Sequence, residues 1–418
     1  MTNSSQHPGS TGQHPGGTGQ HSDNRKESKK AIDSTLVRLI ATSRTPVSRI
    51  DLARKTGLSK MTISNHVAEL IRKGIVVERD SQGQAENVLG RHPIPLHISG
   101  LSPCICGLWI TRTHTQAVLA DISGSIIDMS KMYYQGSLSR EALISMLLSQ
   151  YDALASRTSR RIIGCGISSI GPLDSTTGYL LNPSNFWGLS YIPLTEIVSA
   201  HTGLPTYLIH DAHAGALVEK IYGRGGPYEN FVYLHISEGI GLGFVLNGAL
   251  FNGFSGQSGE IGHTSINFNG PRCSCGNRGC LESYASIDRM RKKISELLPL
   301  FPDSAFKKLK SPSRSDVINF ASGGDPIAVA ALDEFCGYLA HALANLLRLL
   351  DFSTIIVGYD ALSSSYILEK ILYEKMRDYS PPEKNNVEIL HSYFNNDGPL
   401  MGAIAIVANE VFHQNISL

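Results

Sequence analysis

The chain has 418 residues and a mass of 45.3 kDa, so two or three domains are expected instead of one large core. Hydrophobic residues make up 42% and charged residues 17%, as in ordinary globular proteins, and no apolar run is long enough to span a bilayer. The N-terminus lacks the features of a secretory signal, so we expect a cytoplasmic protein without membrane insertion, whose seven cysteines remain reduced.

The net charge of +1 hides an uneven distribution along the chain. Residues 25–97 contain 14 Lys and Arg against 7 Asp and Glu, whereas the rest of the chain contains 23 against 29. A basic segment at one end predicts a polyanionic partner there.

Residues 1–29 are predicted to be a disordered tail, because they are mostly small or polar and can bury little surface. The near-repeat of HPGSTGQ and HPGGTGQ spaces His7, His14 and His21 by seven residues. These imidazoles could bind a metal ion weakly, but a solvated tail is favoured because nothing fixes the geometry of the ligands.

Residues 30–92 are predicted to form a winged helix-turn-helix. Apolar positions between Ala31 and Thr42 fall on one helical face, a second helix begins at Ser48 and ends at Gly57, and a third is capped by Ser59. A strand over 75–79, a polar turn over 81–86 and a returning strand over 87–91 would form the wing. Residues 93–101, with two prolines, are predicted to be a linker.

The third helix presents short polar side chains suited to phosphates and base edges in a major groove. An arginine at the wing tip could enter the minor groove. The predicted contacts with double-stranded DNA are Ser59, Lys60, Thr62, Ser64, Asn65, His66 and Arg91. The alternative is a three-helix bundle with a solvated basic face, and the agreement of caps, turn, wing and charge favours DNA binding.

Residues 102–418 are predicted to form an α/β body with two lobes and a cleft. Short β-rich runs alternate with helical segments along this region, and residues 104–127 read as strand, turn and strand around Gly124. The other predicted strands are 162–168, 206–209, 231–236 and 354–357, and the predicted helices include 212–222 and 326–350.

A cysteine cluster follows a glycine-rich segment. Cys273, Cys275 and Cys280 in CSCGNRGC, together with His263, match the four ligands of a closed tetrahedral zinc site. We therefore predict structural zinc. The alternative, reduced cysteines in a loop, leaves three closely spaced thiols without a purpose. The glycines that precede the cluster, at 239, 241 and 243, are weak evidence alone, because such a turn after a strand is common.

These motifs, in this order, resemble the ROK family of bacterial sugar-responsive repressors and sugar kinases, over roughly residues 102–410. The N-terminal segment is similar to the winged helix of the family's repressors, which its kinases lack. The matching segments are ISSIGPLD (167–174), HDAHAGALVE (210–219), GIGLG (239–243), GFSGQSGEIGH (253–263), CSCGNRGCLE (273–282) and IIVG (355–358).

The resemblance implies a hexokinase-like or actin-like two-lobed fold, usually dimeric, with a sugar bound between the lobes. By position, Asp211 stands where the kinases have their catalytic base, and carboxylates here would accept hydrogen bonds from vicinal hydroxyls. The implied sugar-binding residues are Asn185, His210, Asp211, Glu260, His263 and Glu282, and His263 would also ligate zinc.

The phosphate-binding motifs depart from the kinase pattern. The DxGGT turn of the family's kinases is replaced by Trp109 to Thr113, and Glu238 stands in the second phosphate loop, where its carboxylate would repel phosphate. Tyr359 replaces a glycine on the adenosine side, while His210 and His213 replace asparagines. We therefore expect a regulator that has lost phosphoryl transfer.

The sequence thus predicts a DNA-binding repressor of carbohydrate genes that a sugar or sugar phosphate releases from a palindromic operator. Ligand would change lobe closure or the geometry of a dimer or tetramer, and so move the two winged helices out of register. The main alternative is an ATP-dependent sugar kinase fused to a DNA-binding domain. A third possibility is a regulator controlled by a protein partner.

Overall fold

The computed structural model describes residues 19–79, 93–360, 366–379 and 387–418, with side chains from residue 29 onward. A small unit of three helices and a three-stranded sheet precedes a large body that contains two five-stranded sheets. Residues 1–18 of the predicted tail lie outside the described residues. The predicted wing turn and its returning strand, Arg91 included, also lie outside them.

The helices of the small unit are α1 (Gly19–Ala41), α2 (Arg49–Thr56) and α3 (Lys60–Arg72). The predicted capping box begins α2: Ser48 Oγ accepts from the Asp51 amide, and the Asp51 carboxylate accepts from the Ser48 amide. Gly57, with a φ of 72°, ends this helix in the left-handed conformation that glycine adopts readily. Helix α1 begins at Gly19, so the last part of the predicted tail is helical. The charged first half of this helix has no apolar face that would have indicated it, although its residues are compatible with a helix.

The sheet of the small unit corrects the predicted linker. Its strands are β1 (Val47–Ser48), β2 (Val76–Glu78) and β3 (Pro95–Ile98), and β3 is the middle strand, antiparallel to both neighbours. Proline is tolerated at residue 95 because it is the first residue of the strand, and its carbonyl accepts from the Arg79 amide at 3.1 Å. Leu96 is buried in the core, so residues 95–98 belong to the small unit.

The first lobe of the body contains a mixed sheet. Its strands are β4 (Cys104–Ile110), β5 (His114–Asp121), β6 (Ile126–Tyr133), β7 (Ile162–Ser169) and β11 (Thr206–His210), with β8 (Leu173–Asp174), β9 (Tyr179–Leu180) and β10 (Ile192–Pro193) in a small separate sheet. Its helices are α4 (Arg140–Ala155), α5 (Leu194–Thr202) and α6 (Asp211–Ile221). The order β11-β7-β4-β5-β6 combines an antiparallel meander with two parallel strands. The region 104–127 was predicted as one strand, turn and strand, but an additional turn at 111–113 separates β4 from β5.

The second lobe repeats this topology. Its strands are β12 (Phe231–Ile236), β13 (Ile240–Leu246), β14 (Ala249–Phe251), β15 (Thr354–Tyr359) and β16 (Glu388–His391). The remaining helices are α7 (Leu281–Tyr284), α8 (Ile287–Leu297), α9 (Arg314–Ser322), α10 (Pro326–Leu350), α11 (Ile367–Tyr379) and α12 (Gly398–Phe412). The order β14-β13-β12-β15-β16 again joins a meander to two parallel strands, which confirms the predicted two-lobed α/β body.

Helix α10 is the core helix of the second lobe. Among the described residues it is the one helix whose length and composition would allow it to cross a membrane, but 61% of its apolar 18-residue stretch is buried inside the protein. It packs against α8, α9 and α11. Its apolar character is therefore explained by the core that it forms with these helices.

Helices α6 and α12 connect the two lobes. A Cβ on Gly402 of α12 would approach Ala214 O of α6 to 2.2 Å, and a Cβ on Gly243 of β13 would approach Ala212 O to 2.3 Å. Helix α6 is thus held between a helix that covers the first sheet and a strand of the second. Because Asp211 is its first residue, the start of α6 lies at the junction of the lobes.

The small unit packs against the first lobe through one continuous apolar cluster. Leu36 and Leu70 of the small unit share this cluster with Val407 and Val411 of α12 and with Ile416 beyond it. Helix α12 therefore contacts both α6, where the predicted sugar site begins, and the unit predicted to bind DNA.

Candidate functional site

The start of α6 brings three of the predicted sugar-binding side chains together. His210 ends β11 and caps α6, and its Nδ1 lies 3.2 Å from Asp211 Oδ1. Its Nε2 lies 3.5 Å from Glu260 Oε1, so the imidazole stands between two carboxylates. The amide of Ala212 donates to Asp211 Oδ1 at 2.7 Å and fixes that carboxylate at the helix start. Such a group offers both donors and acceptors to adjacent hydroxyls.

Glu282 lies beside the glycine-rich segment. A Cβ on Gly239 would lie 3.2 Å from Glu282 Oε2, and a Cβ on Gly262 would lie 3.1 Å from the same atom. The glycines therefore leave room for this carboxylate. Arg112, from the turn between β4 and β5, reaches the same place, because its Nη1 would lie 3.8 Å from the Cβ on Gly239. Its Nε donates to Ser184 O at 3.3 Å.

Asn185 follows Ser184 in an exposed loop and has a φ of 55°. Its contact with a sugar stays a prediction. His213, two residues after Asp211, is buried, and its Nε2 donates to Ser258 O at 2.8 Å. Burial lowers the pKa of His213 to about 4. Its imidazole therefore secures the loop that leads to Glu260.

The four predicted metal ligands converge. Their ligating atoms all lie within 4.8 Å of one another, with Cys275 Sγ 3.7 Å from Cys280 Sγ and Cys273 Sγ 3.6 Å from His263 Nδ1. A tetrahedral zinc ion places two ligand sulfurs about 3.8 Å apart, and sulfur and nitrogen about 3.6 Å apart. The side chains present therefore fit this ion.

The orientation of His263 links the cluster to the sugar-binding segment. Because Nδ1 faces Cys273, Nε2 is the ring nitrogen left to face a ligand or solvent. His263 is the last residue of a short 3₁₀ helix that begins directly after Glu260. An ion held by this cluster would thus fix the segment that carries both residues.

Helix α3 presents part of the predicted DNA-binding set. Lys60 and Asn65 are exposed, while Ser59 caps the helix by accepting from the Thr62 amide at 3.1 Å. Thr62 and Ser64 are half-buried. These DNA contacts stay predictions.

The outward orientation predicted for His66 is wrong. Its Nδ1 lies 2.7 Å from Asp33 Oδ1 of α1, and only 13% of its side chain is exposed. The reason is its place on α3 beside the buried stripe that includes Ile63, Val67 and Leu70. Met61, which is 76% exposed, was not predicted on the outer face. A hydrophobic residue is not expected on an outer face, so the sequence did not indicate that Met61 is exposed.

A cleft of about 480 Å³ lies between the lobes. Thr111 and Thr113 of the turn between β4 and β5 line it, together with Asp211 and Glu238. The side chain of Tyr359 is buried in the second lobe, and its hydroxyl donates to Glu369 Oε2 at 2.8 Å. Its effect on nucleotide binding stays a prediction. The carboxylates among the residues that line the cleft are those of Asp211, Glu238 and Asp360.

The cleft also contains basic side chains that sequence reasoning missed. Arg291 of α8 and Arg314 of α9 line its second-lobe wall, and Lys131 of β6 lines the first-lobe wall. Arg291 and Arg314 belong to helices outside the quoted motifs, so no local pattern marks them.

Comparisons with known proteins agree with both units. Residues 105–410 match the ROK family, and residues 46–77 match a winged helix-turn-helix DNA-binding family. The xylose repressor of Bacillus spizizenii is 31% identical over 87% of this chain and 91% of its own length. The glucokinase of Thermotoga maritima is 33% identical, over 59% of this chain and 79% of its own. A crystal structure of a ROK family transcriptional regulator, a homologue of the Escherichia coli Mlc protein, superposes with a TM-score of 0.73 and 25% identity, over 92% of this chain and 97% of that chain. The chain therefore belongs to the ROK family, and it combines the ROK body with a winged helix-turn-helix.

Proposed function

We propose that this protein is a sugar-responsive transcriptional repressor that binds operator DNA through α3 and is released by a sugar or sugar phosphate at the start of α6. The observation that carries the proposal is the presence of both parts in one chain. Exposed Lys60 and Asn65 lie on a helix-turn-helix, and the His210, Asp211 and Glu260 group lies between two lobes. The repressor relative shares both parts over nearly its whole length.

The packing suggests how a ligand acts on DNA binding. Helix α6 begins at the sugar site and packs against α12, and α12 shares an apolar cluster with the small unit. A sugar that binds one degree of lobe closure better than another would shift α6 against α12. In a homodimer or tetramer this shift would change the spacing of two α3 helices relative to operator half-sites. We expect such an oligomer, in the cytoplasm where the DNA lies.

We assign structural zinc to His263, Cys273, Cys275 and Cys280. The ion would cross-link the loop of the cysteines to the segment that carries Glu260, and it would leave no open position for a reactive water. Its role is to hold side chains in place for hydroxyl recognition. His263 and Glu260 would then present an imidazole nitrogen and a carboxylate to the same ligand.

Fluorescence anisotropy with the gene's own upstream DNA tests this function. We expect salt-dependent binding that a sugar or a sugar 6-phosphate, first selected by thermal shift, reverses. In the Glu260→Gln variant the DNA should still bind, but release should require a much higher sugar concentration. The control Glu296→Gln alters an exposed carboxylate of α8 and should behave like the wild type. Failure to bind any upstream segment at low salt would refute the proposal.

The second candidate function is a sugar kinase fused to a DNA-binding domain. Asp211 at the position of the kinase base and an open cleft favour it. Glu238 in that cleft opposes it, because its carboxylate would face phosphate oxygens. A coupled ATP assay with hexoses, amino sugars and pentoses separates the two. Sugar-dependent turnover that Asp211→Asn abolishes would establish the kinase.

A further inference from the structure

Met61 is an exposed apolar side chain on a helix that buries its other large apolar residues wholly or partly. It is the second residue of α3 and is 76% exposed, whereas Ile63, Val67 and Leu70 are buried. Single exposed apolar residues are common on protein surfaces, so exposure alone implies no contact. What distinguishes Met61 is its position in the helix-turn-helix.

The outward face of α3 is a stripe of four exposed residues. Successive members are four, three and four positions apart, so they lie along one side of the helix, opposite the buried stripe. They are Met61, Asn65, Ala68 and Arg72. The N-terminal residues of a recognition helix are the ones that contact base edges in the major groove. Met61 and Asn65 occupy that end of the stripe.

The polar neighbours of Met61 are largely engaged within the protein. Ser59 Oγ accepts from the Thr62 amide at 3.1 Å and lies 2.8 Å from Thr62 Oγ1. His66 turns inward to a carboxylate of α1. The side chains that extend outward at this end of α3 are therefore those of Lys60, Met61 and Asn65.

The charge around Met61 is complementary to a nucleic acid. Residues 52–68 contain Arg54, Lys55 and Lys60 and no Asp or Glu, and these three cationic side chains are exposed. Contacts of such cations with phosphates fix the position of a helix on the duplex but do not read its sequence. A phosphate backbone held there would bring base edges to the outward face of α3. Met61 would then meet a base edge.

The chemistry of methionine selects one kind of base. Its thioether is a weak hydrogen-bond acceptor and no donor, so it matches the polar groups of base edges poorly. The main apolar group on a base edge in the major groove is the C5 methyl group of thymine. Burial of one such methyl group corresponds to about a fourfold gain in affinity.

We propose that Met61 is a specificity-determining residue, which packs against the C5 methyl group of a thymine in the major groove of the operator. The assignment rests on the proposed DNA-binding function and adds to it the base that this position of α3 reads. In a dimer, one such thymine is expected in each half-site.

Replacement of thymine by uracil throughout the bound upstream segment tests this contact by fluorescence anisotropy. Uracil keeps the hydrogen-bonding groups of thymine and lacks only the methyl group. The wild type should bind the uracil duplex about fourfold more weakly for each thymine contacted. Met61→Ala should bind the two duplexes equally, whereas Met61→Leu, which keeps an apolar side chain, should retain most of the difference. The control Leu349→Ala removes an exposed apolar side chain near the end of α10 and should keep the wild-type ratio.

Salt provides a second readout. Because burial of a methyl group releases no ions, the ratio of the two affinities should stay constant as salt is raised, while both affinities fall. Any change that uracil causes in the shape of the duplex is common to all variants. The comparison of wild type with Met61→Ala therefore isolates the contact.

Three results would overturn the assignment and leave the repressor function intact. These are equal binding of the two duplexes by the wild type, an unchanged ratio in Met61→Ala, or a ratio that disappears at high salt. Failure of the wild type to bind the thymine duplex itself would instead refute the repressor function, and this assignment with it.

Discussion

Replacing Cys280 by alanine removes the buried ligand of the cysteine cluster and leaves three potential ligands. The 3.7 Å and 3.6 Å separations in the cluster match a tetrahedral zinc ion, so the wild type should contain one zinc per chain. At free zinc about 1,000 times the dissociation constant, binding to the folded state contributes about 4 kcal/mol. For a unit the size of one lobe this corresponds to about 10 °C in the midpoint of unfolding.

The assay combines metal analysis with thermal unfolding in the presence and absence of a chelator. Cys280→Ala should lose zinc and the sensitivity of the midpoint to chelator. The matched control is Cys336→Ala, which removes a buried cysteine of α10 away from the cluster. It should retain one zinc and the full response to chelator, even if its cavity lowers stability. A Cys280→Ala protein that still holds one zinc per chain, or a wild type without zinc, would refute the assignment.

Three further predictions concern DNA binding, the core of the small unit and acid stability. Lys60→Ala should weaken binding to all DNA sequences and reduce the dependence of log affinity on log salt concentration by about one, whereas Asn65→Ala should lose about 1–3 kcal/mol of binding free energy on the operator only. Anisotropy titrations, with Lys308→Ala as the control, check both effects. Equal effects of Asn65→Ala on operator and random DNA would contradict the assignment of Asn65. Leu70→Ala, at a position 1% exposed, should destabilise the small unit by about 2–5 kcal/mol in urea unfolding, and a loss below 1 kcal/mol would contradict its place in the core. Burial lowers the pKa of His213 to about 4 from its ordinary value of about 6.5. The unfolded chain therefore takes up this proton at a higher pH than the folded chain. The contribution of His213 to the free energy of unfolding is fully present above pH 6.5 and is lost as the pH falls towards 4. Between pH 6.5 and pH 4 the free energy of unfolding of His213→Asn should therefore fall by up to about 3 kcal/mol less than that of the wild type. Identical acid sensitivity of the two proteins would contradict the prediction.

Local signals in the sequence predicted much of the small unit. The capping box at Ser48 and the glycine at 57 act through neighbouring backbone groups, so their pattern is sufficient to place α2. The central strand at 95–98 was missed because its stability comes from pairing with β1 and β2, which lie far away in sequence. The inward orientation of His66 likewise depends on Asp33 of another helix.

In the candidate site too, the features with a local sequence motif were predicted and those that depend on tertiary packing were not. The cysteine cluster has a spacing that tetrahedral coordination requires, and the four ligands do converge. Glu238 was recognised from its motif and lines the cleft. At Tyr359 the replaced glycine indicates a larger side chain but not where that side chain points, and in the structure it packs inside the second lobe. Arg314 reaches the cleft only through the packing of α9 against the second lobe, which no local motif indicates.

The central claim is that a carbohydrate is sensed by this protein and left unchanged. It is tested most directly by anisotropy of labelled upstream DNA during titration with individual sugars in buffer without nucleotide. We predict that at least one sugar or sugar phosphate lowers DNA affinity about tenfold or more under these conditions. DNA that stays bound with every sugar, or that is released only after magnesium ATP is added, would contradict it.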